Sequence, residues 1–289
     1  MLEGILNIDK PAGMTSHDVV ARVRRAAGMR RVGHSGTLDP MATGVLVVCL
    51  GRATRLVEYL VGRPKTYFGT VRLGQTTDSY DADGKILSEK EVPELTADII
   101  ESLLEQFRGD ILQIPPMVSA IKKDGKKLYE LAREGKTVDR PPRPVTIYQL
   151  DLLKVESPEI TLRIQCSAGT YIRSIAYDLG ELLGCGGHLS SLRREQVGEF
   201  GLDTAVPLDS LTAENINLHL QRPELAVSHL PKLDVSFENE INLLNGKLVA
   251  RDNEYENGTL MQTYNPSGRF IGLVTAHGDF WKAKKMFQA

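Results

Sequence analysis

The 289-residue sequence predicts an α+β chain closed by a small β-rich module. Three observations carry that expectation. Alternating or β-branched apolar runs recur from the N-terminus to about residue 166, with a few stretches of helical spacing between them. From about residue 229 the pattern changes to short apolar runs punctuated by Asn245-Gly246, Asn257-Gly258, Pro266-Ser267-Gly268 and His277-Gly278, turn signals at intervals of ~10–12 residues. With 42% hydrophobic residues the chain can bury a substantial core, which excludes global disorder. The expected domains are therefore residues 1–228, mixed in structure, and residues 229–289, rich in strands.

The elements follow in order. Residues 4–9 alternate around Ile5, Leu6 and Ile8 and read as a strand that ends at Pro11 and Gly13. Thr15 or Ser16 then caps a helix, because a hydroxyl accepts a bond from a free first-turn amide. Val19, Val20 and Val23 form its apolar stripe and Gly28 stops it. Residues 33–44, with three glycines and Pro40, make an irregular loop leading into a buried strand at 45–50. Residues 67–73 alternate as another strand, and 96–107 have helical spacing, with Thr96 as cap and Gly109 as terminator. The segment 115–144, bracketed by Pro115-Pro116 and Pro141-Pro142-Arg143-Pro144, is polar and rich in lysine (Lys122, Lys123, Lys126, Lys127). It reads as a protruding arm, helical only around 128–132. Residues 145–155 and 160–166 pair as strands, 170–183 form a helix stopped by Gly184, and the acidic stretch 203–224 reads as a helical connector.

Charge excludes little by its sum and more by its distribution. Thirty-five basic and 37 acidic side chains leave a net charge of −2, so the total does not announce a polyanionic partner. Residues 1–31 and 122–147 are nevertheless basic, while 78–110 and 199–242 are acidic. Such runs suit ordinary solvated faces, and they equally suit a protein with one polyanion-facing side. Cys49, Cys166 and Cys185 are too few and too scattered for a disulfide framework or a zinc site. There is no basic leader followed by an apolar run, and no stretch approaches the ~20 apolar residues that span a bilayer. A soluble cytoplasmic protein is expected.

The segment most able to carry chemistry is Gly33-His34-Ser35-Gly36-Thr37-Leu38-Asp39-Pro40-Met41-Ala42-Thr43-Gly44. It sets His34 and Asp39, both capable of acid–base or nucleophilic work, on a backbone shaped by glycine. The same residues would serve a plain turn in which Asp39 caps backbone amides. Neither a Gly-Lys-Ser/Thr ending nor a Gly-x-Gly-x-x-Gly spacing accompanies it, so nucleotide binding by those routes is not indicated.

This dodecapeptide resembles the catalytic loop of the TruB family of tRNA pseudouridine synthases. Four further motifs resemble those of the same family in the same order. They are Leu6-Asn7-Ile8-Asp9-Lys10-Pro11-Ala12-Gly13-Met14-Thr15-Ser16, then Lys65-Thr66-Tyr67 with Arg72 to Asp78 and Asp81-Ala82-Asp83-Gly84, then Gly169-Thr170-Tyr171-Ile172-Arg173-Ser174-Ile175, and finally His188-Leu189-Ser190-Ser191-Leu192-Arg193-Arg194. The resemblance implies a pseudouridine synthase fold, with a mixed, largely antiparallel sheet flanked by helices and a C-terminal PUA-like RNA-binding domain. It implies an isomerase without cofactor or metal that breaks the N1–C1′ bond of the uridine conventionally numbered 55 in the T loop of tRNA, turns the base and rejoins it through C5. It also implies a monomer with tRNA, through its T arm, as partner and no protein partner.

Residue by residue, the resemblance makes Asp39 the essential nucleophile or base. A carboxylate in a dry pocket tends to take up a proton and needs a fixed cation, which the resemblance assigns to Arg173. Tyr67 becomes the platform for the flipped base. His34 fills the space the nucleotide leaves, Tyr171 and Leu192 line the pocket, and Lys10 and Asp81 stand near the substrate. The arm, the Arg22 to Arg31 surface and the Trp281 to Lys285 cluster would supply phosphate contacts, with the acidic stretches facing away. Two alternatives remain at the level of sequence: a guide-RNA-dependent synthase, and a non-catalytic RNA-binding or RNA-folding module. A two-carboxylate glycosidic hydrolase finds only Asp78, Asp81 and Asp83, distant along the chain, as second acids.

Overall fold

The computed structural model describes residues 2–123, 125–136, 138–251 and 255–287. In chain order the elements of its main sheet and the helices on it are β1 (Gly4–Lys10), α1 (Ser16–Ala27), β2 (Val32–His34), β3 (Thr43–Leu50), β4 (Lys65–Leu73), α2 (Ala97–Leu104), β5 (Gly109–Gln113), β6 (Arg143–Glu156), β7 (Glu159–Cys166), α3 (Ile172–Leu182) and β8 (Gly187–Val197). The strands run across the sheet in the order Val206–Pro207, β1, β3, β8, β4, β7, β6, β5, with β2 on β3. β3 and β8 are parallel, as are β1 and Val206–Pro207, and the other neighbours are antiparallel. The mixed, largely antiparallel sheet is the one expected.

β3 explains its own composition. Leu46, Val48 and Leu50 face a core shared with Leu6, Ile8 and the Val19, Val20 and Val23 stripe of α1. Val45, Val47 and Cys49 face the opposite core. A strand buried on both faces reads as a continuous apolar run rather than an alternation. α1 begins at the expected place: Thr15 and Asp18 form a capping box, and Gly28 closes the helix at φ 61°. α3 lays Ile172, Ile175, Ala176 and Leu179 against Val71, Leu73, Ile160 and Leu189. Its crossing with β8 is so close that a Cβ on Gly180 would lie 2.1 Å from the Gly187 nitrogen.

The C-terminal module is a five-stranded sheet of Lys232–Asp234, Val249–Ala250, Leu260–Tyr264, Phe270–His277 and Phe280–Met286. Phe270, Leu273 and Phe287 enter the core that holds Ile5, Val45, Val47 and Cys49. Each such burial is worth ~1.5–3 kcal/mol, so the module is docked on the main sheet rather than tethered to it. It also carries the helix Phe237–Leu244, capped by Ser236, where only strands were expected.

Residues 203–224 do not form the expected helical connector. They make short 3-10 turns at Leu202–Thr204, Leu208–Ser210 and Ile216–His219, run into another at Pro223–Val227, and lend Val206–Pro207 to the sheet. Pro207 and Pro223 have no amide to donate, and the Asn215 amide bonds the Ser210 carbonyl and the Thr212 N–H at 2.8 Å each, drawing backbone groups away from a helix. The helix expected at 96–107 ends at Leu104 and tightens to a 3-10 turn, and Gly109 opens β5. The arm holds a hairpin of Lys122–Lys123 with Lys126–Lys127 and the helix Leu128–Arg133; its Asp124 and Thr137 lie outside the described residues.

Candidate active site

The loop between β2 and β3 is held from several sides. The Ser16 hydroxyl, at the start of α1, donates to the Leu38 carbonyl at 3.1 Å and accepts from the Leu38 N–H at 2.8 Å. The Gly13 N–H reaches the Pro40 carbonyl at 2.8 Å. Two buried cations complete the hold. Lys10 donates from Nζ to the carbonyls of Pro11, Pro40 and Ala42 at 2.9, 3.2 and 2.6 Å. Arg194, in β8, donates to the carbonyls of Val45, Thr37 and Gly36 at 2.7, 3.4 and 3.1 Å. Arg194 lies opposite Gly44 of β3 on one side and opposite Tyr67 of β4 on the other. Gly44 has φ 98° and no room for a Cβ, which would lie 2.2 Å from the Arg194 carbonyl oxygen.

Asp39 projects from this loop onto Arg173, one residue into α3. Nε of Arg173 is 3.1 Å from Oδ2 of Asp39, and Nη2 donates to Oδ1 at 3.2 Å. The rest of the guanidinium is fixed too: Nη1 donates to the Ser79 carbonyl at 3.0 Å and lies 3.1 Å from Oδ2 of Asp81, and Nη2 donates to the Val118 carbonyl at 3.0 Å. The Arg173 and Asp81 side chains are each 5% exposed and Asp39 is 35% exposed. Asp39 is thus the member of the network open to a ligand. Burial pushes its carboxyl above the usual carboxylate range, Arg173 opposes that rise, and Asp81 and Asp83 add to it.

Tyr67 and Tyr171 both lie within electrostatic reach of Asp39. Leu192, Leu38 and Tyr67 belong to one buried cluster, and Leu192 packs beside Gly69 of the neighbouring strand. Burial raises the Tyr67 phenol above its ordinary value, with Arg194 pulling it back. Tyr171 is fixed by its backbone: the Gln113 side chain accepts from its N–H at 2.7 Å and donates to its carbonyl at 3.0 Å. His34 ends β2, with its ring edge-on to His17 at 5.6 Å and its Nδ1 buried without a partner. Burial, with His17 and Arg194 adding to it, lowers the His34 imidazole below its usual value, so it is neutral at neutral pH.

Two expectations change. Lys10 does not present its amine to a substrate; it is fully buried, spent on three carbonyls, and pulled down to about 8 by burial against the attraction of Asp39. The acidic stretch 78–110 does not wholly face away, since Asp81 pairs with Arg173 and the charge of Asp83 reaches Asp39. Asp81 is still unsuited to act as a second glycosidase acid, because Arg173, the Ser79 hydroxyl at 2.5 Å and the Asp83 N–H at 3.1 Å enclose its carboxylate. The basic surfaces are partly neutralised: Arg22 pairs with Asp209 at 2.5 Å, and Lys126 and Lys136 of the arm both pair with Glu134. Arg194 is the site residue that the pattern of β8 left unmarked. The available signal was its place two residues beyond Leu192, on the same face of a strand.

Two family models match consecutive segments of the chain: residues 24–172 match the N-terminal domain of TruB family pseudouridylate synthase, and residues 173–228 match the tRNA pseudouridylate synthase B C-terminal domain. The chain is 45% identical over 291 aligned residues to tRNA pseudouridine synthase B of Dehalococcoides mccartyi strain BAV1, covering 99% of this chain and 97% of that one. It is 41% identical to the protein of the same name from Clostridium novyi, covering 99% of each. Among solved structures, a chain of an H/ACA RNP bound to a substrate RNA containing 2′-deoxyuridine superposes with a TM-score of 0.77 at 26% identity, over 99% of this chain and 85% of that one.

Proposed function

Because the chain belongs to the TruB family of tRNA pseudouridine synthases, we propose that it isomerises the T-loop uridine of tRNA with Asp39 as the essential carboxylate. The reaction breaks N1–C1′, turns the uracil, forms C5–C1′, releases the C5 proton and protonates N1, so nothing is consumed. An ionised carboxylate beside the ribose serves attack at C1′, removal of the C2′ proton and addition to the base alike. The observation that carries the reading is the grip of Arg173 on both oxygens of Asp39, next to Tyr67 and an apolar wall. The guanidinium favours the charged form of Asp39 and aims it.

Extrusion of the nucleotide costs a few kcal/mol, and stacking on Tyr67, worth ~1–3 kcal/mol, offsets part of it. The raised phenol stays neutral near pH 7, so Tyr67 meets the base as a stacking face with a hydroxyl and not as a phenolate. Neutral His34 fills the emptied stack, Leu192 and Tyr171 wall the pocket, Asp81 steadies Arg173, and Lys10 shapes the loop. The lysine-rich arm closes over the T loop. Its root is bonded to the site, since the Val118 carbonyl accepts from Arg173.

An isolated T stem-loop transcript, incubated with the protein and no guide RNA, tests the assignment. Pseudouridine at the T-loop uridine is the expected product. Free uracil, or product that appears only with an added guide, would refute it.

A further inference from the structure

Gln113 ends β5, the edge strand of the main sheet, and its side chain is buried. An amide at that depth carries donors and an acceptor that must be satisfied. Both of its ends go to one residue: the side-chain oxygen accepts from the Tyr171 N–H at 2.7 Å, and the side-chain nitrogen donates to the Tyr171 carbonyl at 3.0 Å. The amide thus pairs with the Tyr171 backbone as a neighbouring strand would, across 58 residues of sequence. One bond would let Tyr171 pivot, and two together fix its orientation.

Tyr171 is where α3 begins. Its backbone is extended, with φ −101° and ψ 106°, and its side chain does not cap the helix. Its carbonyl also accepts from the Ser174 N–H at 3.1 Å, within the first turn. Gln113 therefore sets the residue from which that turn departs, and the turn carries Arg173. The chain beyond Gln113 follows the same turn: the Ser174 hydroxyl donates to the Ile114 carbonyl at 2.8 Å, and Arg173 Nη2 donates to the Val118 carbonyl at 3.0 Å. Pro115 and Pro116 between them restrict the backbone. The start of α3 is in this way referred to a strand of the main sheet, while Asp39 takes its orientation from Arg173.

We propose that Gln113 is a positioning residue for the uridine isomerisation: by clamping both backbone groups of Tyr171 it sets the first turn of α3, so that Arg173 meets both oxygens of Asp39. The inference rests on the proposed reaction and adds a residue that acts on it without touching the nucleotide. Buried and with its amide committed, Gln113 works only through Tyr171 and Arg173. A guanidinium displaced by about 1 Å would grip Asp39 less evenly, and misplacements of that size cost up to about 100-fold in rate.

Two variants, assayed by pseudouridine formation on tRNA transcript across a pH series, test this. Gln113→Met keeps the length of the side chain and removes both bonds. Its kcat should fall about 30-fold with KM within about twofold of wild type. Its acid limb should move to higher pH, because an ill-placed guanidinium opposes less of the rise in the Asp39 carboxyl. Gln113→Glu gives the opposite trend. The ionised carboxylate only accepts, so the Tyr171 carbonyl loses its donor, whereas the protonated form restores both bonds. Arg143, opposite Gln113 on β6, favours the ionised form, and Asp178 and Glu181 of α3, which line a cavity with Gln113, disfavour it. The deficit of Gln113→Glu should therefore grow as pH rises, while that of Gln113→Met is greatest at low pH. Wild-type kcat in Gln113→Met, a KM that rises as much as kcat falls, or profiles parallel to wild type in both variants would each overturn the proposal. Absence of pseudouridine with wild type would instead count against the reaction itself, which keeps the two failures distinct.

Discussion

Arg173 holds both carboxylate oxygens of Asp39, at 3.1 and 3.2 Å, across 134 residues of sequence. The same guanidinium meets Asp81 and the carbonyls of Ser79 and Val118. Three separate segments, the Asp39 loop, the 79–81 turn and the root of the arm, therefore converge on one side chain.

Replacing it by lysine keeps a positive charge but loses the fork that reaches these partners together. Arg173→Lys should lower kcat by about 100-fold or more. The sign of its pH effect follows from Asp39. In the proposed role the ionised form is the working one, so activity should rise with pH through the Asp39 pKa, and Arg173 opposes a further rise of that pKa. The acid limb of the kcat profile should move to higher pH in Arg173→Lys, which a rate profile between pH 4 and 8 will read.

The 79–81 turn carries a strain that the neighbouring helix answers. Tyr80 has φ 66°, a left-handed conformation that costs a non-glycine residue of its bulk about 1–2 kcal/mol. Its ring stacks on Tyr177 of α3 at 4.0 Å and 15°. Tyr177 is four residues beyond Arg173, on the same face of the helix. Tyr177→Leu should therefore lower stability by about 1 kcal/mol and reduce kcat more than it raises KM, because the turn that presents Ser79 and Asp81 to Arg173 loses its stack. Tyr80→Phe should leave both near wild type. Urea denaturation and steady-state kinetics on one substrate check the pair.

The local parts of this site were legible in sequence, and its long-range joins were not. The glycines and Pro40 of the 33–44 loop, the two-faced run of β3 and the cap at Thr15 are each determined within a dozen residues. Arg194 became visible only once β8 lay between β3 and β4, bringing it to the Val45 carbonyl 149 residues away. By charge pattern alone Asp81 and Asp83 belong to an acidic run, and only the family resemblance brings Asp81 near the substrate, because the turn that folds them into the cleft depends on Arg173 and on pairing with Leu189. Lys10 looked like a substrate cation in one dimension, and its three carbonyl partners show it to be a tie for the loop. The 203–224 stretch is the opposite case: its acidic composition suggests a helical connector that its prolines and capturing side chains prevent.

Gly44→Ala probes the close approach of β3 and β8. The new Cβ would meet the Arg194 carbonyl at 2.2 Å in a backbone with φ 98°. Strain and displacement of the Arg194 strand should together cost about 3 kcal/mol or more. Thermal unfolding should show a marked fall in Tm, and the folded fraction should have lost activity, because the Gly36 and Thr37 carbonyls lose their donor.

Asp178, late in α3, gives a stability signature independent of catalysis. Burial, with Glu181 adding to it, raises its carboxyl to about 6. The folded protein therefore binds a proton more tightly than the unfolded chain, and Asp178 contributes stability at low pH that is lost as pH rises from about 4 through about 6. Asp178→Asn should be more stable than wild type at pH 7 and should lose that advantage below about pH 4. Denaturation midpoints across this range will show it.

The most direct test of the central assignment is tritium release from tRNA transcript carrying 5-tritiated uridine, measured for wild type and for Asp39→Asn. The substitution keeps the shape of the side chain and removes its charge, so wild type should release tritium while forming pseudouridine and the variant should release none above background. Equal release by both proteins, or none by wild type on a folded transcript, would contradict the assignment of Asp39 as the essential carboxylate of a uridine isomerase.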